Sequence, residues 1–421
     1  MLEIKNYHFR YIKTALYGVV ALLLVIMLIV LAVVNINFGS GQGYVENPSP
    51  TPSTPGEKTN KVKIQLVGDV VLNSTLLENN SNAYSEYDFS NIFSLINKKI
   101  NGDISLFNLE GVIDVNKNGT QISGAPRFNY PKKIASDLKD AGFNMCVTAN
   151  DRAAYFSDMG IKNNYENLIN AGLCPVGTSV ENTKNYVVVE MNGVKIGILA
   201  YTDKLSDFDK INTKYISTTD FSDIEGTVDK IASDVQSVKE YGAEIIIASM
   251  HWGDDISSEP TEEQRELADK IVKSGVDIIY GTRSHVFQNV SFKNIVDDNQ
   301  ISKNVVVAYS MGNFLAHPTV TTGQAGQQSA ILNIYVERDQ NGRAYISSAE
   351  CEAIYIYAFS KKSEDVNYEY LILPVSEYVE ATEKPSVFIN DEDWQKCKDA
   401  YDYVSKIAQE SGKTGLPLGL K

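Results

Sequence analysis

The sequence predicts an α/β domain carried behind one membrane-spanning helix, and three stretches point to it. Residues 14–34 (TALYGVVALLLVIMLIVLAVV) hold no charge and run for about 20 residues, the length that crosses a bilayer core. Residues 245–288 read as strand, loop, helix, strand, loop, with His251 and His285 each just beyond a strand. From about Ser329 the pattern turns antiparallel, through ILNIYVE, AYISSAECEAIYIYAF and YEYLILPV. Strand–helix alternation followed by antiparallel strands gives a mixed α/β fold.

Lys5, Arg10 and Lys13 precede the apolar run and the next basic residue is Lys58, so the N-terminus is expected in the cytoplasm and the rest outside. The run is too long for a usual signal-peptide core, NINFGSG offers no A-x-A-like cleavage site, and no cysteine lies nearby for lipidation. An uncleaved anchor is therefore expected. Residues 39–60 (GSGQGYVENPSPTPSTPGEKTN) are rich in Pro, Ser, Thr and Gly and read as a spacer. The organisation that follows is a cytoplasmic segment 1–13, an anchor 14–35, a linker 36–60, a folded domain 61–375 and a C-terminal helix and tail 376–421.

The net charge is −15, and residues 1–13 carry +2, which leaves −17 on the remainder. Such a chain does not engage nucleic acid or an anionic surface through bulk electrostatics. An anionic substrate would need a local cationic pocket or a metal. Cys146, Cys174, Cys351 and Cys397 show no C-x-x-C spacing, which argues against a four-cysteine zinc site. Cys146 lies in an apolar strand, where a buried thiol is expected; pairing among the other three is left open.

Taken in order, residues 63–67 form a short strand ending at Gly68-Asp69, and 89–100 look helical. Residues 104–109 are an apolar strand delivering Asn108-Leu109-Glu110. A helix over 134–141 closes at Gly142, a strand over 144–148 ends in Ala149-Asn150-Asp151-Arg152, and a helix over 165–171 closes at Gly172. Residues 186–191 and 194–200 flank Asn192-Gly193, a type I′ hairpin signal. Residues 224–241 form a long amphipathic helix. In the central stretch, 245–248 are a buried strand, and Thr261 with Gln264 makes a capping box that opens a helix ending at Gly275. Residues 276–280 are the next strand, 305–309 another that precedes Ser310-Met311-Gly312-Asn313-Phe314, and 391–408 a last helix before a looped tail.

Asp69, Glu110, Asn150/Asp151, His251 and His285 thus stand at five strand ends. An Asp after a strand is most often a turn or helix-cap residue. Five strand ends carrying oxygen or imidazole donors at one sheet edge instead fit one or two divalent metals, the type of centre that hydrolyses phosphate esters. In a parallel strand–helix–strand unit both strand ends share an edge, so His251 and His285 can converge. Trp252 is expected to pack beside the site, and His317 to lie on a surface or loop. The tyrosine-rich strands are ordinary for an antiparallel sheet.

Together VGDVVLN, ISLFNLEGVI, GFNMCVTAND, HWGDDISSEPTEEQRELADKIVKSGVDIIYG and AYSMGNF resemble the CapA capsule-synthesis family (poly-γ-glutamate synthesis, PgsA type), from about Val62 to Leu373. The resemblance implies a calcineurin-like metallophosphoesterase α/β/β/α sandwich with its ligands at one sheet edge. Asp69, Glu110, His251 and His285 match family ligand positions, with Glu110 the metal-bridging carboxylate. Where the family reads A-N-N-H this chain has Ala149-Asn150-Asp151-Arg152, which leaves Asp151 as the ligand and puts Asn150 and Arg152 at the catalytic position. The family's G-H-H-P-H becomes Gly281-Thr282-Arg283-Ser284-His285, which loses two imidazoles. An arginine neither ligates a metal nor serves as a general acid. One metal (Mn, Fe or Zn) is therefore expected rather than two.

Two functions stay open on this reading. One is a single-metal hydrolase using Asp69, Glu110, Asp151, His251 and His285. The other is a non-catalytic, metal-free relative that binds an anionic polymer or a membrane synthase through Arg152 and Arg283, each able to hold a carboxylate or phosphate. Alternatively these arginines fill a metal position with salt bridges. Asn313, in a match to S-L-G-N-F, is expected to fix a loop at the pocket. What the resemblance implies overall is a cell-surface protein working on an anionic capsular polymer with membrane-embedded synthase or export subunits.

Overall fold

The computed structural model describes residues 61–84, 86–115, 120–181, 183–205, 213–319, 322–360 and 367–421. The anchor expected over 14–35 and the linker over 36–60 lie outside them. Among the described residues no helix is long and apolar enough to cross a membrane.

The chain runs β1 (Lys61–Val70), α1 (Ser74–Asn79), β2 (Ile104–Leu109), β3 (Val112–Ile113), β4 (Asn129–Tyr130), α2 (Lys133–Asp140), β5 (Met145–Val147), α3 (Ser157–Asn170) and β6 (Cys174–Val176). It continues through β7 (Val187–Met191), β8 (Val194–Thr202), α4 (Ile224–Glu240), β9 (Ile245–His251), α5 (Glu262–Lys273), β10 (Ile278–Thr282), β11 (Val290–Val296), β12 (Ser302–Ala308) and β13 (Asn313–Leu315). The final elements are β14 (Gln328–Arg338), β15 (Ala344–Phe359), β16 (Glu369–Pro374), α6 (Asp391–Thr414) and β17 (Gly419–Leu420).

One sheet has the order β16-β15-β14-β1-β2-β5-β6, with β13 also on β1 and β17 on β15. The other has the order β11-β12-β10-β9-β8-β7. In the first sheet the parallel run β1-β2-β5-β6 reaches one edge and antiparallel strands continue from β1 to the other; in the second a parallel centre is flanked by antiparallel strands on both sides. Period-two alternation explains how the layers stack. On the inner faces Ile64, Leu66, Ile104 and Val147 meet Ile196, Ile198, Ile247 and Ile278 in one apolar cluster. The alternate residues face outward. Phe107 and Cys146 pack with Ile134 and Leu138 of α2, while Leu199, Ile246 and Ile279 pack with α4 and α5. Helices on the outside of two stacked sheets make the expected α/β/β/α order. α6 adds Cys397, Ala400 and Val404 to the inner cluster.

Most local signals hold. Thr261 and Gln264 form the reciprocal capping box, and Asn192 and Gly193 take φ of 51° and 78°, as a type I′ turn requires. All four cysteines are buried and unpaired. Four readings change. The last helix runs on to Thr414, and the tail read as loop adds β17 alongside β15. Residues 89–100 hold only a short 3-10 turn over Ser90–Phe93, where the Ser94 hydroxyl donates to the Asn91 carbonyl and competes with a continuous helix. α3 starts eight residues earlier than expected, at Ser157. β6 escapes the sequence because it contains Pro175, which is tolerated since β6 is an edge strand.

Candidate metal centre

The site is built where the parallel strands of both sheets end together. Asp69 pairs in register with Asn108 of β2 and Asn313 of β13. His251 pairs with Thr282 of β10 and Thr202 of β8. The sheets are joined below the site by the buried Tyr280 hydroxyl, which donates to the Val67 carbonyl at 2.6 Å. Close backbone approach needs glycine here: a Cβ at Gly68 would lie 2.2 Å from the Gly312 oxygen, and one at Gly281 only 1.9 Å from the Tyr309 oxygen. Beyond β10 the loop is strained, with Arg283 at φ 101° and His285 at φ 57°.

Asp69 and Glu110 are essentially buried, and His285 keeps 18% of its side-chain surface. One donor atom from each of these three lies within 4.8 Å of the others. His285 Nδ1 stands 3.4 Å from Asp69 Oδ2 and 3.0 Å from Asn313 Oδ1, and its Nε2 is 3.7 Å from Glu110 Oε2. An amide chain sets the carboxylates. Asn150 Nδ2 donates to Asn108 Oδ1 at 2.9 Å and to the Leu109 carbonyl at 2.8 Å. Asn108 Nδ2 in turn donates to Asp69 Oδ1 at 2.8 Å. Asn108 was not singled out in the sequence as part of the site; its signal was its place at the end of β2, two residues before Glu110.

Burial sets the electrostatics, and the neighbouring charges decide each net direction. Burial pushes the Glu110 carboxyl up to about 6, against the pull of His285 and Arg152. Burial also works against charge on His285, but Glu110 and Asp69 overcome it and raise the imidazole to about 9. For Asp69, burial raises and the His285 hydrogen bond and charge lower, leaving it below the usual range. Asp151, opposed by burial but held by the His251 hydrogen bond and charge, stays well below that range.

The remaining expected residues sit around this triad. His251 is buried, with Nε2 3.2 Å from Asp151 Oδ1, Nδ1 3.1 Å from Thr282 Oγ1 and 4.0 Å from Glu110 Oε1. Arg152 Nη1 lies 3.1 Å from Glu110 Oε2, and the guanidinium carbon is 4.0 Å from the centre of the Phe128 ring. Arg283 turns away from the carboxylates: its backbone N–H donates to Asp69, while its side chain ties Asp203 at 3.1 Å and Asp255 at 3.3 Å. Asn313 holds the loop by donating to the carbonyls of His285 and Gly326. Trp252 is buried beside the site and donates to the Tyr309 carbonyl at 2.9 Å. His317 lies apart, bonded to the Tyr370 hydroxyl at 2.8 Å.

Two carboxylates and an imidazole converging from three strand ends form a donor set suited to one divalent ion of the Mn, Fe or Zn type. The stacked sheets and this edge fit a metallophosphoesterase-like α/β class. Residues 63–318 match the family of the bacterial capsule synthesis protein PGA_cap, and the chain belongs to that family. It is 25% identical over 259 residues to the "Capsule biosynthesis protein CapA" of Bacillus anthracis, covering 61% of this chain and 60% of that protein. It is also 25% identical over 246 residues to the "PGA biosynthesis protein CapA" of Bacillus subtilis (strain 168), covering 56% and 58%. The chain thus matches about three fifths of the length of these curated relatives.

Proposed function

We propose that this protein acts in the biosynthesis of a poly-γ-glutamate-like capsular polymer, as a cell-surface hydrolase anchored by residues 14–35 and using one divalent ion. The observation that carries the catalytic part is the convergence of Asp69, Glu110 and His285 within 4.8 Å. The family supports the capsule role. A bound ion would polarise the scissile group and lower the pKa of an attacking water.

The chain's own residues support the rest of this reading. Asn108 and Asn150 hold the carboxylates in place before any ligand arrives. With Asp151 ionised, His251 Nε2 holds a proton against Asp151 Oδ1, next to Glu110. The Arg152 guanidinium supplies positive charge in a domain that is otherwise strongly acidic. Arg283 is committed to Asp203 and Asp255, so its contribution is to tie together the segments that follow β8 and β9.

The test is incubation of the full-length chain, in detergent and Mn²⁺, with poly-γ-glutamate and with a phosphodiester. Loss of polymer length or ester, abolished in Asp69→Ala, is the expected result. Binding without turnover would replace the hydrolase by a polymer-binding relative.

A further inference from the structure

We propose that Arg152 and the metal ion compete for Glu110, so that loading the centre requires the guanidinium to swing off the carboxylate. The site is the one read above as a metal centre, and the inference rests on that reading for its location.

Three observations carry it. Glu110 Oε2 faces two partners at once: His285 Nε2 at 3.7 Å, a fellow member of the triad, and Arg152 Nη1 at 3.1 Å. An ion held by Glu110 and His285 would share that oxygen with a guanidinium, and the two cations would repel at a few ångströms in a buried setting. The second observation is the geometry of the Arg152 contact: Nη1 is buried 3.1 Å from Glu110 Oε2 without an aligned hydrogen bond, so that contact is coulombic rather than a bidentate pair. The Phe128 ring, 4.0 Å from the guanidinium carbon, gives Arg152 an uncharged partner that does not depend on Glu110.

The third is charge. Asp69, Glu110 and Asp151 supply three carboxylates, and Arg283 is already matched to Asp203 and Asp255. Without an ion, Arg152 and His285 both face Glu110, and of the two Arg152 is the permanently charged group. With one, the guanidinium becomes surplus beside that carboxylate and is free to meet an anionic ligand.

The experiment is titration of the whole chain in detergent micelles with MnCl₂, following heat, for the parent and for Arg152→Gln and Arg152→Met. Both variants are first checked for an unfolding transition like the parent's. The expected result is a dissociation constant at least tenfold tighter in the neutral variants; an unchanged or weaker one overturns the proposal. A second arm needs no variant. Phenylglyoxal labelling of Arg152, mapped by peptide mass spectrometry against Arg338 as reference, should rise severalfold when the parent is saturated with Mn²⁺. Labelling that stays flat or falls also overturns it. A parent that binds no Mn²⁺ while the variants do would sustain the competition and remove the single-ion hydrolase. Equal binding by all three would do the reverse.

Discussion

Raising the pH from 6 to 9 should weaken the ion-free domain by about 2 kcal/mol, through His285. Its imidazole titrates at about 9 in the fold because Glu110 and Asp69 outweigh the effect of burial, against about 6.5 in an unfolded chain. A group raised in the fold contributes stability that is fully present below pH 6.5 and is lost as the pH climbs through 9. At about 1.4 kcal/mol per unit the shift corresponds to about 3 kcal/mol. The 18% of side-chain surface left to solvent, together with screening, brings this to about 2 kcal/mol. The other perturbed acids of the site fall outside the window. Glu110, raised to about 6, loses its contribution between about pH 4.5 and 6, and the depressed Asp69 and Asp151 lose theirs only as the pH falls below about 4. Urea unfolding in chelator at pH 6, 7.5 and 9, read by tryptophan fluorescence, measures the effect in the parent and in His285→Gln. A flat parent profile, or the same slope in His285→Gln, would refute the reasoning. Saturating Mn²⁺ should reverse the trend, because the imidazole must be neutral to ligate.

Three further outcomes follow from the same geometry. Tyr280→Phe removes the buried hydroxyl that donates to Val67, and should cost about 1–2 kcal/mol in urea with an unchanged m-value; a loss within error would remove the role given to this inter-sheet bond. Thr261→Ala breaks the capping box of α5 and should cost about 1 kcal/mol by the same assay, whereas Thr261→Ser should cost little. Dithiothreitol should leave the melting temperature unchanged, since all four thiols are buried and unpaired; a drop would contradict the free-thiol assignment.

The fold was legible where local pattern and tertiary role agree. Residues 245–248 are apolar on every position because β9 is covered on both faces, and Asn192-Gly193 can hardly be anything but a turn. β6 was hidden because Pro175 is acceptable only at an edge, and edge status is a property of the whole sheet. The site shows the same division. Strand ends announced Asp69, Glu110 and His285, because a residue just past a buried strand has few other places to go. The direction of a long side chain was not announced. Arg283 sits where a pocket arginine would sit, yet its guanidinium is claimed by Asp203, 80 residues away in sequence, and by Asp255. Arg152, by contrast, reaches Glu110 across the face of Phe128, a contact that the sequence does not reveal. The pairing of His251 with Asp151 likewise depends on two sheets meeting at one edge.

The central claim is that Asp69, Glu110 and His285 hold one divalent ion, and metal content tests it most directly. The full-length chain, loaded with Mn²⁺ or Zn²⁺ and dialysed gently, would be measured by inductively coupled plasma mass spectrometry beside Asp69→Ala and His285→Ala. The account predicts about one ion per chain in the parent and almost none in either variant. A parent without metal under every loading condition, or variants that retain the parent's ion, would contradict it.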